Sequence, residues 1–496
     1  MAPKVPIAKA TLRLHFLCAF FGLGSFVWGY NIGIMATIYV NPGFKAALHK
    51  PKASQTGLIT AIYYLGTWIS YIFLSHPASD RLGRRYSALT GILVVCVGAA
   101  FQAGARNMAM MIIGRIICGL GMALVSTAVP LYQSEVAPAK QRGKYVVMNH
   151  IGLVAGLASA FWVGYAVSFW DSPHGKRVGW RMSITLQYIP AFLFVVGLPF
   201  CPETPRWLVE KDRPDEARKS LLYLREGICT SSELDAELQA IQDNVTTHKI
   251  SGAKWQDLFT QRDLFDRLWR AALLQFMAQM CGATAMKYYL PTLFNKLGLN
   301  HRLSLLIGGV ESTLKIGCTI IEMFVIDRFG RRATIIAGCT VMTFAMLING
   351  ALPQAYPNNL NKASDYACIV FIFFFTFGYS IGFGPAAWVY GSEIFPTAYR
   401  ARGLNFAASG GAIGSIIVAQ VWPVGIQNIG SKVYFYFMAI NLVCIPIVYF
   451  FYPETKGRSL ENMDVLFNKS HGQKRLGSPD DEYQTPEGVT VNPKVV

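Results

Sequence analysis

Charge is what this chain has least of. Only 15% of its 496 residues are charged and 53% are hydrophobic, against about 25% and about 45–50% in soluble domains. A chain this apolar and this long cannot hide its surface in one water-soluble core, so we read it as an integral membrane protein. Carboxylates are the scarcest charge, with 28 Asp and Glu against 45 Lys and Arg, a net charge of +17. The basic excess is spread over loops rather than gathered on one amphipathic patch, which points to membrane topology and anionic lipid and not to nucleic acid. Nine of the ten cysteines sit in or beside apolar stretches and Cys229 lies in a polar loop. No cysteine spacing suits a metal site or a disulfide framework. There is no Walker phosphate loop, no glycine fingerprint after a strand and no triad-like grouping. These absences leave no support for ATP-driven transport, an enzyme, a cofactor or a metal.

What is present is a duplication. Asp80-Arg81-Leu82-Gly83-Arg84-Arg85 returns as Asp327-Arg328-Phe329-Gly330-Arg331-Arg332, Tyr132-Gln133-Ser134-Glu135 as Tyr390-Gly391-Ser392-Glu393, and Pro202-Glu203-Thr204 as Pro453-Glu454-Thr455. The copies lie 247, 258 and 251 residues apart, so one unit occurs twice, head to tail. A spanning helix needs about 20 apolar residues, and twelve candidates fit. They are Leu12–Ile38, Gln55–Leu74, Ser87–Ala103, Met108–Val129, Tyr145–Val167 and Met182–Cys201, then Leu268–Leu293, Leu303–Ile326, Thr334–Leu352, Tyr366–Val389, Leu404–Val424 and Val433–Phe451. The expected fold is an all-α membrane protein, with twelve transmembrane helices in two pseudo-symmetric six-helix bundles. The expected division is an N-terminal bundle over 1–201, a linker of short amphipathic helices over 202–265, a C-terminal bundle over 266–452 and a partly disordered tail over 453–496. Lys and Arg concentrate in the loops around residues 81–85, 140–144, 328–332 and 400–402 and in the linker, which places that side and both termini in the cytoplasm. The first helix has no small-residue cleavage site after it and is expected to stay as an anchor.

Seven phrases in the right order carry a resemblance. They are Asp80 to Arg85, Gly114-Arg115 with Gly119 and Gly121, Pro130 to Gly143, Pro202 to Trp207, Asp327 to Arg332, Gly382 to Pro396 and Pro453 to Arg458. Over about Gly29 to Glu461 the chain resembles the sugar porter family of the major facilitator superfamily, its fungal members in particular. The resemblance implies the major facilitator fold and alternating access of the two halves around a sugar or sugar-like solute, in a multi-pass protein of the plasma membrane. It also places Arg84, Glu135, Arg142, Glu203, Arg331, Glu393, Arg400 and Glu454 in a cytoplasmic latch that is closed when the cavity faces outward. Acids and bases at helix ends suit such a role because charge-assisted hydrogen bonds can be made in one state and released in another. Surface charge that merely fixes topology is the alternative.

Polar groups inside a span are costly and mark sites. Gln275, Gln279 and Gly282 recur at helical spacing in the seventh span. An amide both donates and accepts, which suits a hydroxylated solute. By resemblance Gln275 and Gln279 bind sugar hydroxyls, Tyr288 and Tyr289 form an outer gate, and Trp388 stacks on the ring or carries an inner gate. For Gln279 and Trp388 the bland alternative is interhelical packing. Several positions depart from the family pattern: Ala278, Thr284, His150, Gly411 and Ser415 replace groups that bind hydroxyls. Lys315 falls where relatives have a cavity Asn, and Lys287 precedes the tyrosines. A cationic cavity would favour a sugar acid, whereas Glu311 and Glu322 at i−4 and i+7 from Lys315 could neutralise it instead. The expected binding set is thus Gln275, Gln279, Thr284, His150, Lys315, Trp388 and Asn31. In proton-coupled relatives an Asp stands at the position of Asn31 and pairs with the arginine matched by Arg115. Asn cannot titrate, so facilitated uniport is expected. Symport with protons through Glu311, Glu322 or His150 is the alternative, and a non-transporting receptor or a metabolite exporter are further ones.

Overall fold

A computed structural model of the chain describes residues 9–138, 142–226, 230–251, 254–357, 361–396 and 399–456, together with Phe467. The regular structure of these residues is helical. Hydrocarbon offers no hydrogen bonds, so a lipid-facing backbone of this composition has to satisfy itself within each helix. In the first half the spans are Lys9–Val40, Ala53–Phe73, Ser75–Ala103, Met108–Val136, Arg142–Val167 and the stacked pair Pro173–Thr185 and Tyr188–Gly197. In the second half they are the pair Arg262–Met280 and Ala283–Lys296, then His301–Phe329, Arg331–Ala355, the pair Lys362–Gly382 and Gly384–Ile394, Arg400–Ile429 and Val433–Phe451. Twelve spans therefore form two pseudo-symmetric six-helix bundles. Ten helical stretches of the described residues are long and apolar enough to cross a membrane, and one of these, Arg400–Phe451, holds the last two spans.

Three spans differ from the sequence expectation. The sixth starts at Pro173 rather than Met182 and is interrupted at Leu186 and Gln187, whereas the helical run Ser75–Ala103 is two helices meeting at Gly83, so the third span proper begins at that corner, near the expected Ser87. The seventh is broken at Gly282, which has a φ of 106° and caps the second piece instead of lying on a helical face with Gln275 and Gln279. The tenth is broken at Phe383, ahead of Pro385. Proline there has no N–H to give to the preceding turn, so the helix restarts.

Within a half, small residues bring backbones together, as expected where lipid gives no hydrophobic drive between helices. A Cβ on Gly29 would lie 1.8 Å from the Leu153 carbonyl and one on Gly156 would lie 2.0 Å from that of Phe26, which locks the first span to the fifth. Between halves, the second span packs along the eleventh, the fifth along the eighth, and the first against Ala283–Lys296. The linker supplies the helices Pro205–Glu210, Pro214–Arg225, Ser231–Ser251 and Asp257–Thr260. The apolar faces of the first three close on Trp207, Leu221, Leu234 and Leu238, while Leu258 of the fourth joins the main core, and Arg225 donates to the Val136 carbonyl at 3.2 Å, which ties the linker to the fourth span. Arg13 pairs with Glu226 and Arg270 donates to the Phe451 carbonyl, so the linker and both ends of the described chain gather on one face, hereafter the terminal side. Cys229 and the tail beyond Lys456, apart from Phe467, lie outside the described residues.

The duplicated phrases build the same corner twice. Gly83 (φ 88°) and Gly330 (φ 91°) turn the chain into the third and ninth spans. A Cβ on Gly83 would sit 2.5 Å from Oε2 of Glu203, and one on Gly330 would sit 2.6 Å from Oε2 of Glu454. Both positions thus demand glycine for its φ and for the space a carboxylate occupies. Gly83→Ala should destabilise the protein by about 1–3 kcal/mol, the cost of one strained residue, and lower the midpoint of thermal unfolding in detergent. Gly317→Ala, inside a helix where a Cβ meets nothing within 4 Å, should leave that midpoint unchanged or raised, since alanine is the better helix former.

Candidate functional site

The break at Gly282 exposes backbone and side-chain polar groups in the middle of the second half. The Thr284 hydroxyl lies 3.0 Å from Oε1 of Gln279 and 3.2 Å from Oγ of Ser415 on the eleventh span. Tyr379 of the tenth span reaches the same Gln279 amide. Gln275 is buried and Gln279 half-buried, and Gly411 faces Gln275, leaving 3.5–3.6 Å between its missing Cβ and that residue. Trp388, on the Gly384–Ile394 half-helix, is half-buried against Tyr71, Ala123 and Ala408, so it meets both halves. Gln279, Thr284 and Ser415 are therefore one hydrogen-bonded group.

Charges in this region are unevenly matched. Lys315 Nζ stands 2.9 Å from Oε1 of Glu311, and Thr376 and Ser312 also donate to that carboxylate. Glu322 takes no part in this pair: both its oxygens lack a hydrogen-bond partner, in a residue of 0% exposure. Lys287 lies 5.2 Å above the Tyr379 ring, within electrostatic reach of Lys315 and His150, and no carboxylate among the described residues pairs with it. His150 itself is half-buried.

Asn31 belongs to a different network. Its Oδ1 accepts from Arg115 Nη1 at 3.0 Å and its Nδ2 donates to Gln187 at 3.1 Å. Arg115 is wholly buried, rests 4.3 Å from the Tyr63 ring and donates to the Tyr288 hydroxyl at 3.3 Å across the halves. No carboxylate among the described residues pairs with Arg115 either. None of the hydrogen bonds of Asn31 goes to Gln275 or Gln279.

On the side away from the termini, aromatic rings seal the halves together. Tyr289 donates to Thr60 and to the Ala419 carbonyl at 3.1 and 3.0 Å and stacks on Tyr39, while Tyr288 meets Tyr64 edge-on. Gln420 donates to the Ser54 carbonyl, and Arg302 pairs with Asp171. Tyr39, Thr60 and Tyr64 had no signal in the sequence, because each is an ordinary residue on an apolar span until the fold brings the seventh span to it.

On the terminal side, the pairs Arg84–Glu135 and Arg331–Glu393 of the expected latch each lie within one half. Arg84 holds Glu135 at 2.8 Å and Glu210 of the linker at 3.6 Å. Arg331 holds Glu393 at 2.7 Å, and Thr455 donates to that carboxylate. Glu203 accepts from the amides of Arg85 and Thr204, and Glu454 from those of Arg331, Arg332, Thr455 and Lys456. These two carboxylates cap the third and ninth spans, where the helix dipole favours an anion. Burial pushes the Glu203 carboxyl above its ordinary range, although amide donors and the Arg84 charge oppose the shift. Arg400 donates to the Phe395 carbonyl at 3.5 Å, and the side chain of Arg142 lies outside the described residues. The halves do meet here through residues the motif reading missed. Arg402 donates to His76 at 3.1 Å, His76 is 3.2 Å from Asp80, and Thr127 donates to Asn405 at 3.1 Å.

Two helical bundles facing each other across a polar mid-membrane cluster, sealed by aromatics on one side, define an alternating-access carrier. The family model for sugar (and other) transporters matches residues 17–467, and the chain belongs to that family, the sugar porters of the major facilitator superfamily. It is 32% identical to the MFS-type transporter criB of Aspergillus cristatus, over 95% of this chain and 97% of that protein. It is 30% identical to the sugar transporter STL1 of Saccharomyces cerevisiae, over 90% and 80% of the two. It is also 29% identical to a probable quinate permease of Aspergillus niger, over 92% and 88%. The fold matches the partially occluded, inward-open xylose transporter XylE from E. coli with a TM-score of 0.77 at 22% identity, over 90% of this chain and 99% of that one. The protein is a multi-pass membrane transporter and not an enzyme.

The Tyr288 and Tyr289 hydroxyls close the non-terminal side, so removing both should loosen it. The double variant Tyr288→Phe, Tyr289→Phe should lose about 1–3 kcal/mol of closure, since it leaves buried partners unpaired. Spin labels at Lys50 and Gln427 should report longer distances in it than in the parent.

Proposed function

We propose that the chain carries a polyhydroxylated, sugar-like solute across the plasma membrane by alternating access, with its terminal side and both termini in the cytoplasm. The observation that carries this is the Gln279–Thr284–Ser415 group, with the Tyr379 phenol at Gln279 and the sealing Tyr288 and Tyr289 on the same half-helix as Thr284. It offers hydroxyl-sized donors and acceptors at mid-membrane, next to an aromatic face. Asn31 supports Arg115 and the Tyr288 seal in this reading rather than touching solute directly. The cytoplasmic assignment of the terminal side rests on its Lys and Arg content. Asn31 removes the proton site of the first span, so any coupling to protons has to run through another group.

A second reading concerns charge. Lys315 is neutralised by Glu311 and has little charge left for a substrate, but no carboxylate among the described residues pairs with Lys287 or Arg115, and a buried cation without a counter-ion attracts an anion. This favours a solute that bears a carboxylate, a sugar acid or quinate-like compound, and the likeness to a probable quinate permease agrees with it. Counterflow in proteoliposomes with labelled hexoses, pentoses, polyols and sugar acids tests both readings. We expect uptake of at least one of these. Lys287→Asn should weaken uptake of a sugar acid about tenfold or more, the loss of one charge-assisted contact, and leave a neutral sugar unchanged. Lys315→Asn should impair both alike through the orphaned Glu311.

The latch residues are proposed to bias the two states through each half separately: Arg84 with Glu135 and Arg331 with Glu393 hold the corners against which the halves rock. Glu393→Gln should then shift the balance of states by about 1–3 kcal/mol, the worth of a charge-assisted hydrogen bond. Spin-label distances across the terminal side would show this, with little change in solute affinity within either state.

A further inference from the structure

Glu322 is the one carboxyl of this region for which the pairing above offers nothing. It has 0% exposure and both oxygens are without a hydrogen bond. It lies against the break of the tenth span: a Cβ on Gly384 would be 2.9 Å from its Oε2 and 3.4 Å from its Oε1. Gly384 is the first residue of an 11-residue half-helix, with proline in its opening turn. The backbone of Ala386 is near enough to act on the carboxyl, although neither carboxyl oxygen has a partner within hydrogen-bonding limits. The positive end of a helix thus faces a buried acid across a gap that only glycine leaves open.

The other charged and titratable groups around it are occupied or too distant to serve as counter-ions. On its own helix Lys315 is spent on Glu311, and Cys318, one turn away, feels the Glu322 charge. From the tenth span comes the phenol Tyr379, over which Lys287 of the seventh span stands. The fifth span lays Phe161 and Trp162 on Gly308 and Gly309 of the same helix, while its His150 is next to Lys287. Arg331, where the ninth span begins, holds Glu393. An ionised carboxylate in such surroundings carries a desolvation cost of several kcal/mol, and only a helix end outside hydrogen-bonding reach, with no counter-ion, opposes it.

We propose that Glu322 is the proton-binding site of this carrier, in the role that Asn31 cannot fill, with the Gly384–Ile394 half-helix as its electrostatic partner; the proposal rests on the chain being a carrier. In the arrangement seen here the acid is protonated and neutral. When the half-helix pivots about Phe383, its free first-turn amides turn onto the carboxyl, which releases its proton to cavity water and stays as a carboxylate held by the helix end. Trp388 sits four residues beyond Gly384 on the same half-helix, so the change at Glu322 moves the ring that packs on Tyr71, Ala123 and Ala408 where the halves meet. The coupled process is symport of a proton with the solute, and it replaces the uniport expected from Asn31.

The test uses the full chain in proteoliposomes. Infrared spectroscopy at neutral pH should show the carbonyl stretch of a protonated carboxyl, absent in Glu322→Gln and displaced in Glu322→Asp. Under an inward pH gradient of one unit, wild type should concentrate labelled D-glucose or quinate about tenfold, the equilibrium limit for one proton per solute. Glu322→Gln should retain counterflow of the same compound and lose that accumulation. A wild-type spectrum with no protonated carboxyl overturns the proposal, whatever the variants do. So does a Glu322→Gln protein that accumulates solute like wild type. Should neither compound be exchanged, the sugar reading fails, while the infrared comparison still decides whether Glu322 holds a proton.

Discussion

Hydrocarbon cannot hydrogen-bond, and most of this structure follows from that constraint. Backbone groups satisfy themselves within helices, so the chain is helical throughout its described spans. Polar side chains in those spans have to find partners on other helices. The partners they find mark the places where the halves meet: Arg115 at the Tyr288 hydroxyl, Tyr289 at Thr60, and Thr127 at Asn405. The interface between the bundles is where apolar helices place the groups they cannot show to lipid.

The same constraint explains why the duplicated phrases are built as they are. A span that starts at a sharp corner leaves its first amides without partners. Glu203 and Glu454 cover those amides, and Gly83 and Gly330 provide both the positive φ and the room. Each corner is then braced by an arginine, Arg84 or Arg331, against the glutamate at the end of the fourth or tenth span. The corners are rigid units, and rigid units are what allow two bundles to rock without unfolding.

The charge ledger of the second half is unbalanced in an informative way. Lys315 and Glu311 cancel, which makes them a structural pair in the first instance. Among the described residues no carboxylate pairs with Lys287, nor with Arg115 of the fourth span in the first half, and no cation pairs with Glu322. Fixed unpaired charge at the centre of a membrane protein is unfavourable in any resting state, so these groups are the ones whose environment has to change as the carrier works. Lys287 on the seventh span serves the solute reading and Glu322 on the eighth serves the proton proposal.

Local pattern alone determined a good deal. Apolar run length gave the number of spans, repeated phrases gave the two bundles, and ordered motifs gave the family, because each depends on residues adjacent in the chain. Gln279, Thr284 and Ser415 were visible as polar residues in spans, but that they form one group was not. The breaks at Gly282 and Phe383 were hidden, since a glycine or a proline inside an apolar run is compatible with a straight helix. Only the tertiary structure decided which charges meet. Glu311 and Glu322 look equivalent from Lys315 at helical spacing, yet one faces the lysine and the other faces Gly384. His76, Thr60 and Glu210 acquired roles from contacts made with residues far away in the chain. Such pairings depend on how helices pack against one another, and no periodicity within a single helix encodes that.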